Sequence, residues 1–112
     1  MNDIFNNQVK DPVTIVIFGA SGDLTQRKLI PALFSAYQKK LLPEEFSIIG
    51  FARREYDDYK FRNIMKESIL ESFDDNENLL DKFLLHIFYS RGDVASQDSF
   101  KALDSLIRKN NF

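Results

Sequence analysis

Two glycines three residues apart, Gly19 and Gly22, follow directly on the apolar, β-branched run Val13-Thr14-Ile15-Val16-Ile17-Phe18. The residues after them, beginning Asp23-Leu24-Thr25-Gln26-Arg27-Lys28-Leu29, carry helical spacing, so the stretch reads as strand, turn and helix. Such a turn suits phosphate chemistry. The first amides of a helix lack partners inside it, and the aligned peptide dipoles leave partial positive charge at that end. Gly19 permits a tight reversal, and Gly22 lets backbone approach a pyrophosphate. Thr25, third in a G-x-x-G-x-x-small pattern, is small enough for the helix to lie close on its strand. Asp23 opposes an anion at this point, and with Gln26 three residues on it predicts a capping-box variant, its charge offset by Arg27 and Lys28 one turn in. Two glycines after a strand also occur in ordinary tight turns, so the spacing alone leaves both readings open.

A second group of interest is Arg53-Arg54, at the end of the apolar run Phe46-Ser47-Ile48-Ile49-Gly50-Phe51-Ala52. If that run is the second parallel strand, its carboxyl end faces the ribose of a dinucleotide. An acid there would suit a free 2′-hydroxyl, whereas arginine suits a 2′-phosphate through charge-assisted bonds. Glu55 stands next to them and could pair with Arg54 or accept from a ribose; the bland alternative is a solvated Arg-Arg-Glu surface. His86 is the single histidine and has no placed partner, so it reads as structural. Arg91-Gly92-Asp93 reads as a turn, and Asp74-Asp75-Asn76-Glu77-Asn78 as a polar break and not a metal site.

The elements that must hold these residues follow from periodicity. A helix is predicted from the glycine turn to about Lys40, with Pro31 inside it kinking or tightening its first turns. Pro43 marks the exit. Asp57 and Asp58 open a helix whose Phe61, Ile64, Met65, Ser68 and Ile69 form a core face. Leu79, Leu80, Phe83 and Leu84 suggest a short helix, Ile87-Phe88-Tyr89 a third strand, and Phe100, Leu103, Leu106 and Ile107 a last amphipathic helix. The fold class is therefore α/β, a Rossmann-like parallel sheet with flanking helices, of which this chain carries the first βαβαβ half only. Residues 1–12 read as a flexible arm and 13–112 as a partial dinucleotide-binding domain.

Composition agrees with a chain of one domain at most: 112 residues, 44% hydrophobic, with eleven Phe for a core. A net charge of −2 provides no basic field for nucleic acid or a membrane surface, and no apolar run approaches bilayer length. The absence of cysteine excludes disulfides and thiolate metal sites and fits a cytoplasmic location.

The string Gly19-Ala20-Ser21-Gly22-Asp23-Leu24-Thr25-Gln26-Arg27-Lys28-Leu29-Ile30-Pro31-Ala32-Leu33 closely resembles the fingerprint of glucose-6-phosphate dehydrogenases. Ile48-Ile49-Gly50-Phe51-Ala52-Arg53 is similar to the family's Ile-Val-Gly-Tyr-Ala-Arg, whose arginine contacts the cofactor phosphate. The resemblance implies NADP as cofactor, with Gly19, Ala20, Ser21, Gly22, Asp23, Leu24, Thr25, Gln26 and Arg53 as binding residues. Hydride would pass from C1 of glucose 6-phosphate to NADP, giving a lactone that feeds the pentose phosphate route. The family's Asp-His-Tyr-Leu-Gly-Lys and Glu-Lys-Pro-Phe-Gly motifs, which carry catalysis and sugar binding, do not occur here. No catalytic residue or metal ligand is therefore assigned, this chain alone is expected to be inactive, and glucose 6-phosphate and homo-oligomer formation belong to the complete enzyme. Two alternatives are a free-standing dinucleotide-sensing module and another Rossmann oxidoreductase. The latter would need a Tyr-x-x-x-Lys pair, which is expected to be missing from this chain.

Overall fold

The computed structural model describes residues 11–72 and 77–109. Three strands form one parallel sheet in the order β1-β2-β3: β1 Val13–Phe18, β2 Phe46–Ala52 and β3 Ile87–Arg91. Val13 pairs with Phe46 and Phe18 with Phe51, while Ile48 pairs with Ile87 and Ala52 with Arg91. All three carboxyl ends thus fall on the same edge. Every residue of β2 is buried, as a central parallel strand covered on both faces requires. It occupies the span read from its apolar run, and β3 extends two residues beyond the expected Ile87-Phe88-Tyr89.

The faces are covered unequally. The helices α1 Ile30–Gln38, α2 Asp58–Ser72 and α3 Glu77–Leu84 pack on one, where Phe34, Phe61, Met65, Ile69, Leu80 and Phe83 meet Ile17, Ile48 and Ile87. Phe61, Met65 and Ile69 are fully buried, so the predicted stripe of α2 is its core face. Among the described residues only α4, Gln97–Lys109, covers the other face, packing Leu103 on Ile49 and Phe51. Apolar burial contributes about 25 cal/mol per Å², so the first face holds most of the stabilisation. Phe100 lies over Phe51 at 5.7 Å yet remains 41% exposed.

Several local expectations are corrected. The helix after the glycine turn does not tighten at Pro31 but widens: Thr25–Leu29 is π-helical, with the Ile30 amide donating to the Thr25 carbonyl. Proline has no amide and its ring crowds the carbonyl four residues back, here that of Arg27; a π turn just before it relieves both. The helix ends at Gln38, short of Lys40, which takes a left-handed φ of 59° while the Leu41 amide reaches back to Ala36. Asp57 Oδ1 accepts the Lys60 amide at 2.7 Å and so caps α2. Glu77 and Asn78 belong to α3 and not to a polar break. Residues 73–76 of that break, and 1–10 of the expected arm, lie outside the described residues.

Candidate functional site

β1 stops at Phe18 because Gly19 takes φ +71°, a left-handed conformation that costs an L side chain about 1–2 kcal/mol. The amides of Gly19 and Ala20 both donate to the Phe51 carbonyl, at 2.8 and 3.2 Å, which ties the bend to the tip of β2. Gly22 closes the turn by donating to the Gly19 carbonyl at 2.9 Å, and a Cβ on Gly22 would stand 3.1 Å from that same oxygen. A Cβ on Gly19 would project into open space. The helix begins at Asp23, and among the described residues the Asp23 and Leu24 amides donate to no backbone carbonyl. They are the orphan donors expected at a helix start.

The expected capping box is absent. Asp23 sits inside the first helical turn and pairs with Arg27 at 2.9 Å, both side chains being more than two-thirds exposed. Gln26 instead points its side-chain amide at the Ser21 carbonyl, at a long 3.5 Å. With Asp23 already helical, its carboxylate cannot fold back on the amides ahead of it, and Arg27 one turn on neutralises it.

An open cleft of about 710 Å³ lies over the carboxyl ends of the strands. Gly19, Ser21 and Gly22 line it from β1, Ala52, Arg53 and Arg54 from β2, and Gly92, Asp93 and Val94 from β3, with Phe18 and Phe51 beneath. The glycine bend and Arg53 therefore share one cleft. The other candidate residues stand apart. Ala20 and Thr25 are buried, Thr25 turning its hydroxyl 3.5 Å from the Gly19 carbonyl, and the 66%-exposed Leu24 with Asp23 and Gln26 lies outside the cleft lining. Gly92-Asp93-Val94 was overlooked by the sequence reading; the rule applied to the end of β2 holds equally for the end of β3.

No ion pair engages Arg53 or Arg54 among the described residues, whereas Glu55 lies 3.8 Å from Arg91 and so is not the partner of Arg54. The backbone beneath the two arginines is held from β3. The Tyr89 hydroxyl lies 2.6 Å from the Arg54 carbonyl oxygen and 3.1 Å from that of Ala52, and Arg91 Nε donates to the Arg53 carbonyl at 3.2 Å. Burial, with a smaller contribution from Tyr56, pushes the Tyr89 phenol above its ordinary value, against the pull of Arg91 and Arg54.

His86 lies at the opposite, amino-terminal edge of the sheet. Its ring stacks on Phe46 at 3.9 Å and its Nδ1 donates to the Phe46 carbonyl at 2.7 Å, a packing role. The Tyr-x-x-x-Lys spacing does occur, at Tyr56-Asp57-Asp58-Tyr59-Lys60, correcting the expectation that the chain has none. Lys60 Nζ sits over the Tyr56 ring, 5.2 Å from its centre, in a separate open groove at the head of α2. No acid or histidine cluster with metal-binding geometry is found among the described residues, and no described helix is long and apolar enough to cross a membrane.

A parallel sheet with a glycine bend into a helix, and a cleft over the strands' carboxyl ends, defines a dinucleotide-binding α/β domain of the Rossmann type. Residues 16–111 match the family model described as glucose-6-phosphate dehydrogenase, NAD binding domain, and the chain belongs to that family. It is 36% identical over 110 residues to the chloroplastic glucose-6-phosphate 1-dehydrogenase of Nicotiana tabacum, covering 96% of this chain and 18% of that protein. It is 42% identical over 89 residues to the glucose-6-phosphate 1-dehydrogenase of Aggregatibacter actinomycetemcomitans, covering 80% of this chain and 18% of the relative. A solved structure of glucose-6-phosphate dehydrogenase in complex with its substrate glucose-6-phosphate superimposes with a TM-score of 0.82 at 30% identity, covering 91% of this chain and 21% of that one. The chain thus spans about a fifth of the length of the relatives it matches.

Proposed function

We propose that this chain is the NADP-binding part of a glucose-6-phosphate 1-dehydrogenase, residues 13–112 forming the first half of its dinucleotide domain. The observation that carries the reading is the common cleft of Gly19, Gly22 and Arg53 at the carboxyl ends of parallel strands. Its lining fits the cofactor: nothing lies within 4 Å of where a Cβ on Gly19 would stand, and the exposed Arg53 and Arg54 line the same cleft.

The division of labour follows from the chemistry of each group. Gly19 to Gly22 and the first helical amides hold the diphosphate, the helix end favouring its charge. Ala20 and Thr25 serve through packing that brings the helix onto β1. Arg53 holds the 2′-phosphate, and charge-assisted bonds of about 1.5–3 kcal/mol are enough for one to two decades of preference over NAD. Arg54 supplies a second, less directed charge. The bound nicotinamide would accept the hydride. Orienting the sugar and removing its hydroxyl proton fall to the two motifs that this chain lacks, so the chain alone does not turn over glucose 6-phosphate. Its lack of cysteine agrees with the cytoplasm, although the tobacco relative is chloroplastic.

Titration with NADP and with NAD tests the assignment. Arg53→Ala is expected to weaken NADP about ten- to hundredfold and leave NAD nearly unchanged. Equal loss for both would remove Arg53 as the phosphate reader.

A further inference from the structure

We infer that Tyr89 and Arg91, on the third strand, are positioning residues for the cofactor's 2′-phosphate, acting through the backbone that carries Arg53. The inference rests on the reading of Arg53 given above and extends it to residues outside the glycine fingerprint.

Three consecutive carbonyls, those of Ala52, Arg53 and Arg54, run from the last residue of β2 into the loop beyond it, where the ladder ends. Each is held by a side chain of β3. The single Tyr89 hydroxyl proton is shared between the Arg54 oxygen at 2.6 Å and the Ala52 oxygen at 3.1 Å, and Arg91 Nε donates to the Arg53 oxygen at 3.2 Å. Two backbone amides assist: Gly92 donates to Ala52 at 2.8 Å and Tyr56 to Arg54 at 3.1 Å. Tyr89 is itself fixed. Its ring is buried against Phe61 at 4.9 Å and Tyr56 at 5.3 Å, and its amide donates to Asp58 Oδ1 at 2.7 Å at the head of α2.

An exposed arginine reads a phosphate well only if its Cα and the direction of its Cβ are set beforehand; otherwise binding must order the loop as well as the side chain. The Tyr89 hydroxyl closes the Ala52–Arg54 segment into a fixed arc, and Arg91 prevents the peptide after Arg53 from rotating. Both bonds come from β3, which β2 separates from the strand that ends in the glycine bend, so they bear on the 2′-phosphate and not on the diphosphate. Specificity therefore depends on a strand some 35 residues further along the chain.

Tyr89→Phe removes the hydroxyl and keeps the ring, while the Gly92 and Tyr56 amides still serve both carbonyls. In the complete polypeptide this variant is expected to raise the Kd for NADP about three- to tenfold and that for NAD less than twofold. In an Arg53→Ala background the same change should add nothing further, because the loop then carries no reader. Should Tyr89→Phe not fold, Arg91→Lys, at an exposed position that retains its charge, carries the same expectation. Equal weakening of NADP and NAD, no change in either, or full additivity with Arg53→Ala would overturn the inference. If Arg53→Ala itself leaves the NADP to NAD ratio unchanged, the fault lies with the assignment of Arg53.

Discussion

Gly50 lies in the middle of the central strand, and Gly50→Ala is the substitution whose sign tests the packing most directly. Glycine inside a strand is ordinarily a weakness, and replacing it with alanine reduces the entropy of the unfolded chain, a gain of about 0.4–1 kcal/mol. Here a Cβ would run into the edge of the Phe61 ring, 2.7 Å from Cε2, and would lie 2.9 Å from the Ala20 Cβ. Neither neighbour has room to yield. Phe61 and Ala20 are both fully buried, the ring held between Tyr56 and Tyr89, and Ala20 fixed by the bend that binds its amide to Phe51. Overpacking of this kind costs about 1–3 kcal/mol. With contacts this short between fully buried groups the cost falls in the upper half of that range, about 2–3 kcal/mol, and subtracting the entropic gain leaves a net destabilisation of about 1–2.6 kcal/mol. Urea unfolding at constant m-value measures it. Phe61→Leu, which withdraws the ring edge, should make the double variant lose less than the sum of the two single losses. A Gly50→Ala protein as stable as the wild type, or more so, would refute the reasoning, since α2 would then not be seated against β2 as described.

Gly19→Ala adds a methyl where nothing lies within 4 Å, so its cost is the left-handed backbone alone, about 1–2 kcal/mol. Because Gly19 lines the cleft that both dinucleotides would share, NADP and NAD binding should fall together, and loss of only one would remove the bend as the common diphosphate site. The raised pKa of Tyr89 gives a pH dependence of definite sign. Its phenol is neutral in both states below the ordinary value of 10.0, so its contribution is complete there; above it the unfolded chain ionises first, and stability declines until the pH passes the higher folded value. Unfolding measured from about pH 9 to 12 should show this decline in the wild type and a flatter curve in Tyr89→Phe.

The site was legible in part because some of its determinants are local. A β-branched run meeting glycine, an acid three residues ahead of a helical amide, and an arginine after a buried strand act between near neighbours, and spacing records them. Thus β2 is found over Phe46–Ala52, Asp57 caps α2, and Arg53 shares the glycine cleft. Gly92-Asp93-Val94 escaped because the third strand's exit was read as a plain turn. The Asp23 cap failed because helical geometry begins at that residue, and its carboxylate pairs with Arg27 one turn on.

By itself the sequence determined the α/β order, the glycine bend and the arginine at the strand tip, since each depends on the conformational freedom and polarity of adjacent residues. Only the tertiary structure decided that three helices cover one sheet face and one the other, that the helix loosens ahead of Pro31, and that Tyr89 and Arg91 hold the loop of Arg53. Those outcomes join residues separated by tens of positions, and no periodicity encodes them because they arise from the shapes that must fill one shared core.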